Sequence, residues 1–372
     1  MNTYAKLFAF LALGLSFVAC PKPQNNEKVS LGKEVPTVIH ITEAGGVDDN
    51  SFNASTWRGI NRFYSEFNGK EGVHYSYMVT PNLAQMDGNL SIATDEDRSL
   101  IVVAGFNFID AVERIAQLNP QQKYLLIDGP DFGLPNVKSA HFADEQSAFL
   151  VGALVAYKSQ EDGIENPVFG FIGGMPGGVI TRFEMGYLQG IKHVLGNNVT
   201  ILSYYADDWA NPAKAKTMTG QWINQYPNLY AIFSAAGPTG NGTIAQIKES
   251  YQSGRILWAI GVDSDQYIEG LMPDGHSVVL TSAMKNADAA VYSTLFDLER
   301  DIFHYGQAIY DLDNDGVGFS QSNTIALSED LLLKVKALKE QIRNRDITVY
   351  TTLSQVQKAG LIANYTTDAK DD

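Results

Sequence analysis

The chain has 372 residues, 45% of them hydrophobic and 19% charged, which is apolar enough for a large core and excludes a disordered or fibrous protein. At ~150 residues per domain the length suggests about two domains. Lys and Arg total 27 against 42 Asp and Glu, and the formal charge of −15 repels phosphate backbones and anionic surfaces, which excludes nucleic acid as a partner. A single cysteine, Cys20, cannot build an intramolecular disulfide or a cysteine-based metal site.

Residues 1–19 place one cation, Lys6, before an apolar run and the small residue Ala19. That is a signal-peptide layout, and the run is too short for a hydrocarbon core that needs roughly 20 apolar residues. Cys20 directly after a small residue stands as in a lipobox, with Phe17 where Leu is usual. It is expected to become a diacylated, membrane-held N-terminus. The polar, Pro-containing stretch 20–35 then reads as a tether. Membrane contact is expected through this anchor only.

From Pro36 short apolar strands alternate with amphipathic helices, the pattern of parallel sheets covered on both faces. Strands are expected at 37–42, 99–103, 123–127, 168–172, 200–204, 231–234, 257–262 and 277–281. Helices are expected at 55–66, 108–117, 145–159, 182–195, 211–225, 240–253 and 286–305. The polar segment KSQEDGIENP at 158–167 suits an interdomain crossing.

Ligand crevices in open parallel sheets lie beyond the carboxyl ends of the strands. The segments there are EAGGVDDNSFNAS, AGFNF and DGPDF in the first half, then GGMPGG, YADDWANP, AAGPTGNG, DSDQ and SAMKN. Their density of Gly, Asp, Asn and aromatics points to binding, because loops on a rigid scaffold carry it.

The segments GVDDNSFNASTWRG, FGFIGGMPGGVITRFEMGYLQG, AAGPTGNG, IGVDSDQ and SAMKN run in one order over nearly all of 37–330. In that combination the chain resembles the basic membrane protein family, the purine-nucleoside receptor type of bacterial substrate-binding lipoprotein. The resemblance implies an α/β type I periplasmic-binding-protein fold, with two Rossmann-like lobes joined by three crossings. It implies discontinuous lobes, one of 36–162 plus 278–320 and one of 163–277 plus 321–360, with 361–372 a disordered tail. The implied partners are a purine nucleoside (adenosine, guanosine or inosine) and the permease and ATPase subunits of an ABC transporter. A monomer without cofactor or catalysis is expected. A sugar receptor of the same fold is the alternative, and a calcium-dependent nucleoside hydrolase a more remote one.

A nucleoside needs aromatic faces for its base, edge-reading amides or carboxylates, and a carboxylate for its vicinal hydroxyls. Trp57 is a candidate base cover or else a core anchor; Phe183 and Trp209 compete for the opposite ring wall. Asp49 and Asn53 are candidate edge readers or else caps of the first helix. Asp128 ends the third strand, where the alternative is a turn role. Asp263 at a strand end is expected on the ribose, with Lys285 offsetting the cost of burying that carboxylate. Gly237 allows close approach to the ligand.

Other signals do not carry a site. AAGPTGNG lacks the Lys-Ser/Thr ending of a phosphate-binding loop. DLDNDG at 311–316 opens like a calcium loop, but Ser322 holds its twelfth position where a bidentate Glu is required. The six His residues show no metal-ligand spacing, and no metal is expected.

Overall fold

The computed structural model describes residues 35–362 and 365–371. The expected signal peptide, the lipidation site Cys20 and the tether up to residue 34 lie outside the described residues.

Runs rich in β-branched and aromatic residues form the strands, and amphipathic stretches form the helices between them. In chain order these are β1 Val38–Thr42, α1 Phe52–Glu66, β2 Tyr75–Val79, α2 Met86–Asp95, β3 Leu100–Ala104, α3 Ile109–Leu118, β4 Tyr124–Ile127 and β5 Val137–Phe142. Next come α4 Asp144–Glu161, β6 Val168–Gly173, α5 Gly178–Leu195, β7 Thr200–Tyr205, α6 Pro212–Gln225, β8 Leu229–Ala235, α7 Asn241–Gln252 and β9 Trp258–Asp263. The chain continues through β10 Val279–Lys285, α8 Ala287–Glu299, β11 Gly306–Tyr310, β12 Val317–Phe319, α9 Glu329–Arg343 and α10 Leu353–Lys358.

Two sheets result, in the orders β11-β5-β4-β3-β1-β2 and β12-β10-β9-β8-β6-β7. All pairings are parallel except that of β10 with β12. Central strands such as LIVVA of β3 are buried throughout, as parallel strands covered on both faces must be. The strands absent from the sequence expectation include β2 and β11, which lie at the sheet edge, half exposed and without a continuous apolar run.

The lobe boundaries differ from expectation at three places. The first crossing follows β5 rather than the polar segment at 162–163, because α4 packs on α5, β10 and β12 of the second lobe. The run from Ser147 to Ala156 is buried without interruption, so it needs cover on every side, which a helix inside the second core receives. Added Cβ atoms at Gly152 and Gly190 would sit 2.3 and 2.1 Å from the carbonyl oxygens of Tyr187 and Phe149. Only glycine lets α4 and α5 approach this closely. The segment 158–167 is therefore a turn from helix to strand within one lobe.

The return to the first lobe was expected at 278, yet β10 pairs with β9 and β12 in the second sheet. Its apolar residues Val279, Leu280 and Ala283 are buried there. Only α8, which packs on α1, and β11 return to the first lobe, and β12 leads back to the second. The chain thus crosses three times, after β5, β10 and β11.

The C-terminal segment is a packed strap where it is described, not the disordered tail expected. Tyr365 and Thr367 donate hydroxyl hydrogen bonds of 2.6 and 2.7 Å to Glu184, and Ser203 and Tyr205 add two more. The carboxylate of Glu184 on α5 is fully buried and needs these donors. Thr181 exchanges hydrogen bonds with the backbone of Lys370, and Asp371 accepts from the backbone N–H groups of Leu353 and Ser354.

Candidate functional site

The carboxyl ends of β1, β3 and β4 face those of β6, β8, β9 and β10 across a cleft. Aromatic rings from both lobes wall it. Phe52 and Phe106 come from the first lobe, Phe183 and Trp209 from the second. Both ring candidates of the second lobe line the same space, so the geometry requires no choice between them. Phe183 packs edge-on against Phe233 at 5.9 Å, and Trp209 stands edge-on to Phe106 at 5.9 Å with its indole N–H unpartnered. Phe52 and Phe106 were not singled out from sequence, although the segments NSFN and AGFNF that contain them were.

Trp57 is not in the cleft. Its ring lies 6.4 Å from His40 in a stacked arrangement and 5.3 Å from both Tyr75 and Tyr77. The first turn of α1 presents Phe52 and Asn53 to the cleft, and one turn later the helix faces β1 and β2. Burial, opposed by hydrogen bonds to the backbone of Val102 and Asn53, pulls the pKa of the neighbouring imidazole, His40, down to about 4.

Asp49 lines the cleft, but its carboxylate is consumed locally. It accepts four hydrogen bonds of 2.9 Å, from the backbone N–H groups of Ser51, Asn53 and Ala54 and from Asn53 Nδ2. This satisfies orphan donors at the start of α1, so Asp49 is the cap that the sequence offered as its alternative role. It also fixes the Asn53 amide. With Nδ2 committed to Asp49, the buried Oδ1 of this cleft-lining residue is left as an acceptor without a hydrogen-bond partner.

Three strand-end groups meet at the cleft floor. Asp128 directly after β4 and Asp263 at the end of β9 have φ of 67° and 62°, a left-handed conformation that Asp tolerates better than most residues. Lys285 ends β10 and is 1% exposed. Its ammonium reaches Asp128 at 2.7 Å and Asp144 at 3.1 Å. Asp144, at the first turn of α4, also pairs with Arg182 at 3.3 Å.

Burial pulls the Lys285 ammonium down, but Asp128, Asp144 and Asp263 outweigh it and hold its pKa above the ordinary value. Desolvation pushes Asp263 up to about 7, against the attraction of Lys285 and a hydrogen bond from Ser51. Desolvation likewise lifts Asp144 to about 6, with Lys285 opposing. Lys285 therefore offsets the burial of Asp263 through its field while bonding two other carboxylates. Asp144 carried no signal in the sequence, because its place beside Lys285 depends on the first crossing.

Glu43 is a further residue that sequence reasoning missed. It lines the cleft just beyond β1 and accepts from Asn107 Nδ2 at 3.0 Å. Desolvation raises its carboxyl to about 8, with the Asn107 hydrogen bond opposing. Gly237 lines the opposite side at φ 52°, where a side chain would be strained. Among the described residues no group of three or more His, Cys, Asp or Glu side chains is arranged to hold a metal ion. The cleft thus gathers aromatic rings and carboxylates from both lobes around one space.

Residues 37–352 match a family model described as Bmp, ABC transporter substrate-binding protein PnrA-like. The chain belongs to this family. Its members are substrate-binding components of ABC transporters, acting outside the cytoplasm, and not enzymes. Among its relatives is the CD4+ T-cell-stimulating antigen of Listeria monocytogenes, 34% identical over 92% of this chain and 96% of that protein. The ABC transporter nucleoside-binding protein BmpA of Lactococcus lactis is 32% identical over 80% of this chain and 84% of that one. The crystal structure of an ABC transporter solute-binding protein from Aeropyrum pernix superposes with a TM-score of 0.75. It is 26% identical and covers 88% of this chain and 98% of that one. No helix among the described residues is long and apolar enough to cross a membrane.

Proposed function

We propose that this Bmp-family protein is a lipid-anchored receptor, held at the membrane through Cys20, that captures a purine nucleoside and delivers it to an ABC permease. The supporting observation is the cleft itself. Phe52, Phe106, Phe183 and Trp209 offer flat faces for a base, and stacking contributes about 1 to 3 kcal/mol per base. Asn53 Oδ1 and Asp128 Oδ1 are buried acceptors without partners, so a ligand presenting N–H or O–H groups relieves an existing cost.

In this reading Asp263 and Asp128 accept from the ribose hydroxyls, Lys285 holds their charge in the buried floor, and Gly237 lets the backbone close against the ligand. Asn53 reads the base edge, while Asp49 acts by fixing its amide. The nucleoside-binding name of the Lactococcus lactis relative agrees with this assignment.

The test is to denature the purified chain from residue 21 onward, identify any retained small molecule by mass spectrometry, and titrate nucleosides, free bases and sugars calorimetrically. Binding of nucleosides above bases and sugars supports the reading, and a sugar preference overturns it. Asp263→Ala should weaken ribonucleosides far more than the free base; equal losses would remove its ribose role. Cys20→Ser should release the protein from membranes, and continued attachment would refute the anchor.

A further inference from the structure

Beside the cleft, and reaching it only at Asp263, the two lobes touch through a short chain of side chains. Ser51, just before α1 in the first lobe, donates from Oγ to Asp263 Oδ2 at 2.8 Å. In return Ser264, just after β9 in the second lobe, donates from Oγ to the Ser51 carbonyl oxygen at 2.8 Å. Arg58, further along α1, donates from Nη2 to Ser264 Oγ at 3.1 Å. Ser51 and Ser264 are buried, at 0% and 5% exposure. None of Ser51, Arg58 and Ser264 is among the residues lining the cleft.

The Ser51 hydroxyl is available for this because Asp49, and not Ser51, supplies the side-chain oxygen at the helix start. Its position before α1 would ordinarily spend that hydroxyl on capping. Here it serves a residue 212 positions away. The three chain crossings are covalent and persist whatever the lobe angle. The Ser51, Arg58 and Ser264 contacts are non-covalent bridges between the two strand-end edges.

We infer that Ser51, Ser264 and Arg58 form an interlobe latch that sets the closing equilibrium and the residence time of the ligand without touching it. A contact present only in the closed arrangement favours that arrangement by its own free energy, and the ligand's apparent affinity rises with the closed fraction. The latch also orients Asp263, since one oxygen of that carboxylate is held by Ser51. The inference takes ligand capture by lobe closure from the proposed function, but it does not depend on which ligand is captured.

The experiment uses the soluble chain from residue 21 onward with three variants, Ser264→Ala, Arg58→Ala and the conservative Ser264→Thr. Stopped-flow binding of inosine and guanosine should show dissociation accelerated roughly tenfold by Ser264→Ala and less by Arg58→Ala, with association within about twofold of the parent. Ser264→Thr, which keeps the hydroxyl, should restore most of the residence time. Unchanged dissociation in Ser264→Ala, or no rescue by Ser264→Thr, would overturn the latch. Small-angle scattering without added nucleoside gives an independent readout, in which Ser264→Ala should have a larger radius of gyration than the parent. If the parent binds neither nucleoside, the ligand assignment fails, and identical scattering of parent and Ser264→Ala would then overturn the latch as well.

Discussion

Replacing Lys285 by Met removes the one ammonium that bonds Asp128 at 2.7 Å and Asp144 at 3.1 Å, and whose field also lowers Asp263. The side chain is 1% exposed, so water cannot take its place. Removing one partner of a buried ion pair costs about 3 to 5 kcal/mol, because the surviving carboxylates stay buried and only Arg182 beside Asp144 and the Ser51 hydroxyl on Asp263 remain to offset them. The cost should depend on pH in a definite direction. In the parent protein Asp144 and Asp263 already titrate at about 6 and about 7, and loss of the ammonium moves both further up. At pH 5 the variant keeps both groups protonated and neutral, so most of the penalty is avoided. At pH 8 it must either charge them in a dry site or hold protons against the bulk, at about 1.4 kcal/mol per pH unit for each group. Urea unfolding of parent and Lys285→Met at pH 5, 6.5 and 8 is the assay, with the midpoint read at constant slope. A loss of about 3 to 5 kcal/mol at pH 8 that falls below about 2 kcal/mol at pH 5 is expected. A loss that is independent of pH, or smaller than about 1 kcal/mol throughout, would show that the ammonium behaves as a solvated surface charge.

Glu43 should make its own contribution to pH dependence. Its folded pKa of about 8 lies above the ordinary 4.5, so its stabilising contribution is complete below the unfolded value and is lost as pH rises toward 8. Glu43→Gln, neutral at every pH, should lose less thermal stability between pH 5 and 8.5 than the parent, and parallel melting curves would refute the assignment. Trp57→Ala should leave nucleoside affinity within about twofold while lowering stability by about 2 to 4 kcal/mol through lost packing on His40, Tyr75 and Tyr77; calorimetry and urea unfolding separate the two effects. Tyr365→Phe with Thr367→Val removes the hydroxyls that the C-terminal strap gives Glu184. Unfolding should become easier by about 1 to 3 kcal/mol, and an unchanged midpoint would mean that Ser203 and Tyr205 suffice.

The alternation of apolar runs with amphipathic helices determined the parallel sheets, since strands covered on both faces must be largely apolar, and β3, β4, β6 and β8 are buried throughout. The rule that ligands gather beyond strand ends then picked out Asp128, Asp263 and Lys285 without any coordinates, because backbone direction alone puts those residues at the cleft. Side-chain direction was not legible in the same way. Asp49 and Trp57 lie within two turns of Phe52, yet one is spent on capping and the other faces β1 and β2; a local pattern does not reveal which face of α1 meets the opposite lobe. Lobe boundaries were hidden for a related reason. The segment at 158–167 has the polarity of a linker, but whether it joins domains or turns a helix into a strand depends on what covers α4, and that cover comes from α5, β10 and β12. Periodicity and strand polarity are properties of neighbouring residues, and the chain alone determined them. The pairing of Lys285 with Asp128 and Asp144, the acceptors for Ser51 and Ser264 and the donors around Glu184 join residues far apart in the chain, and only the tertiary structure decided them.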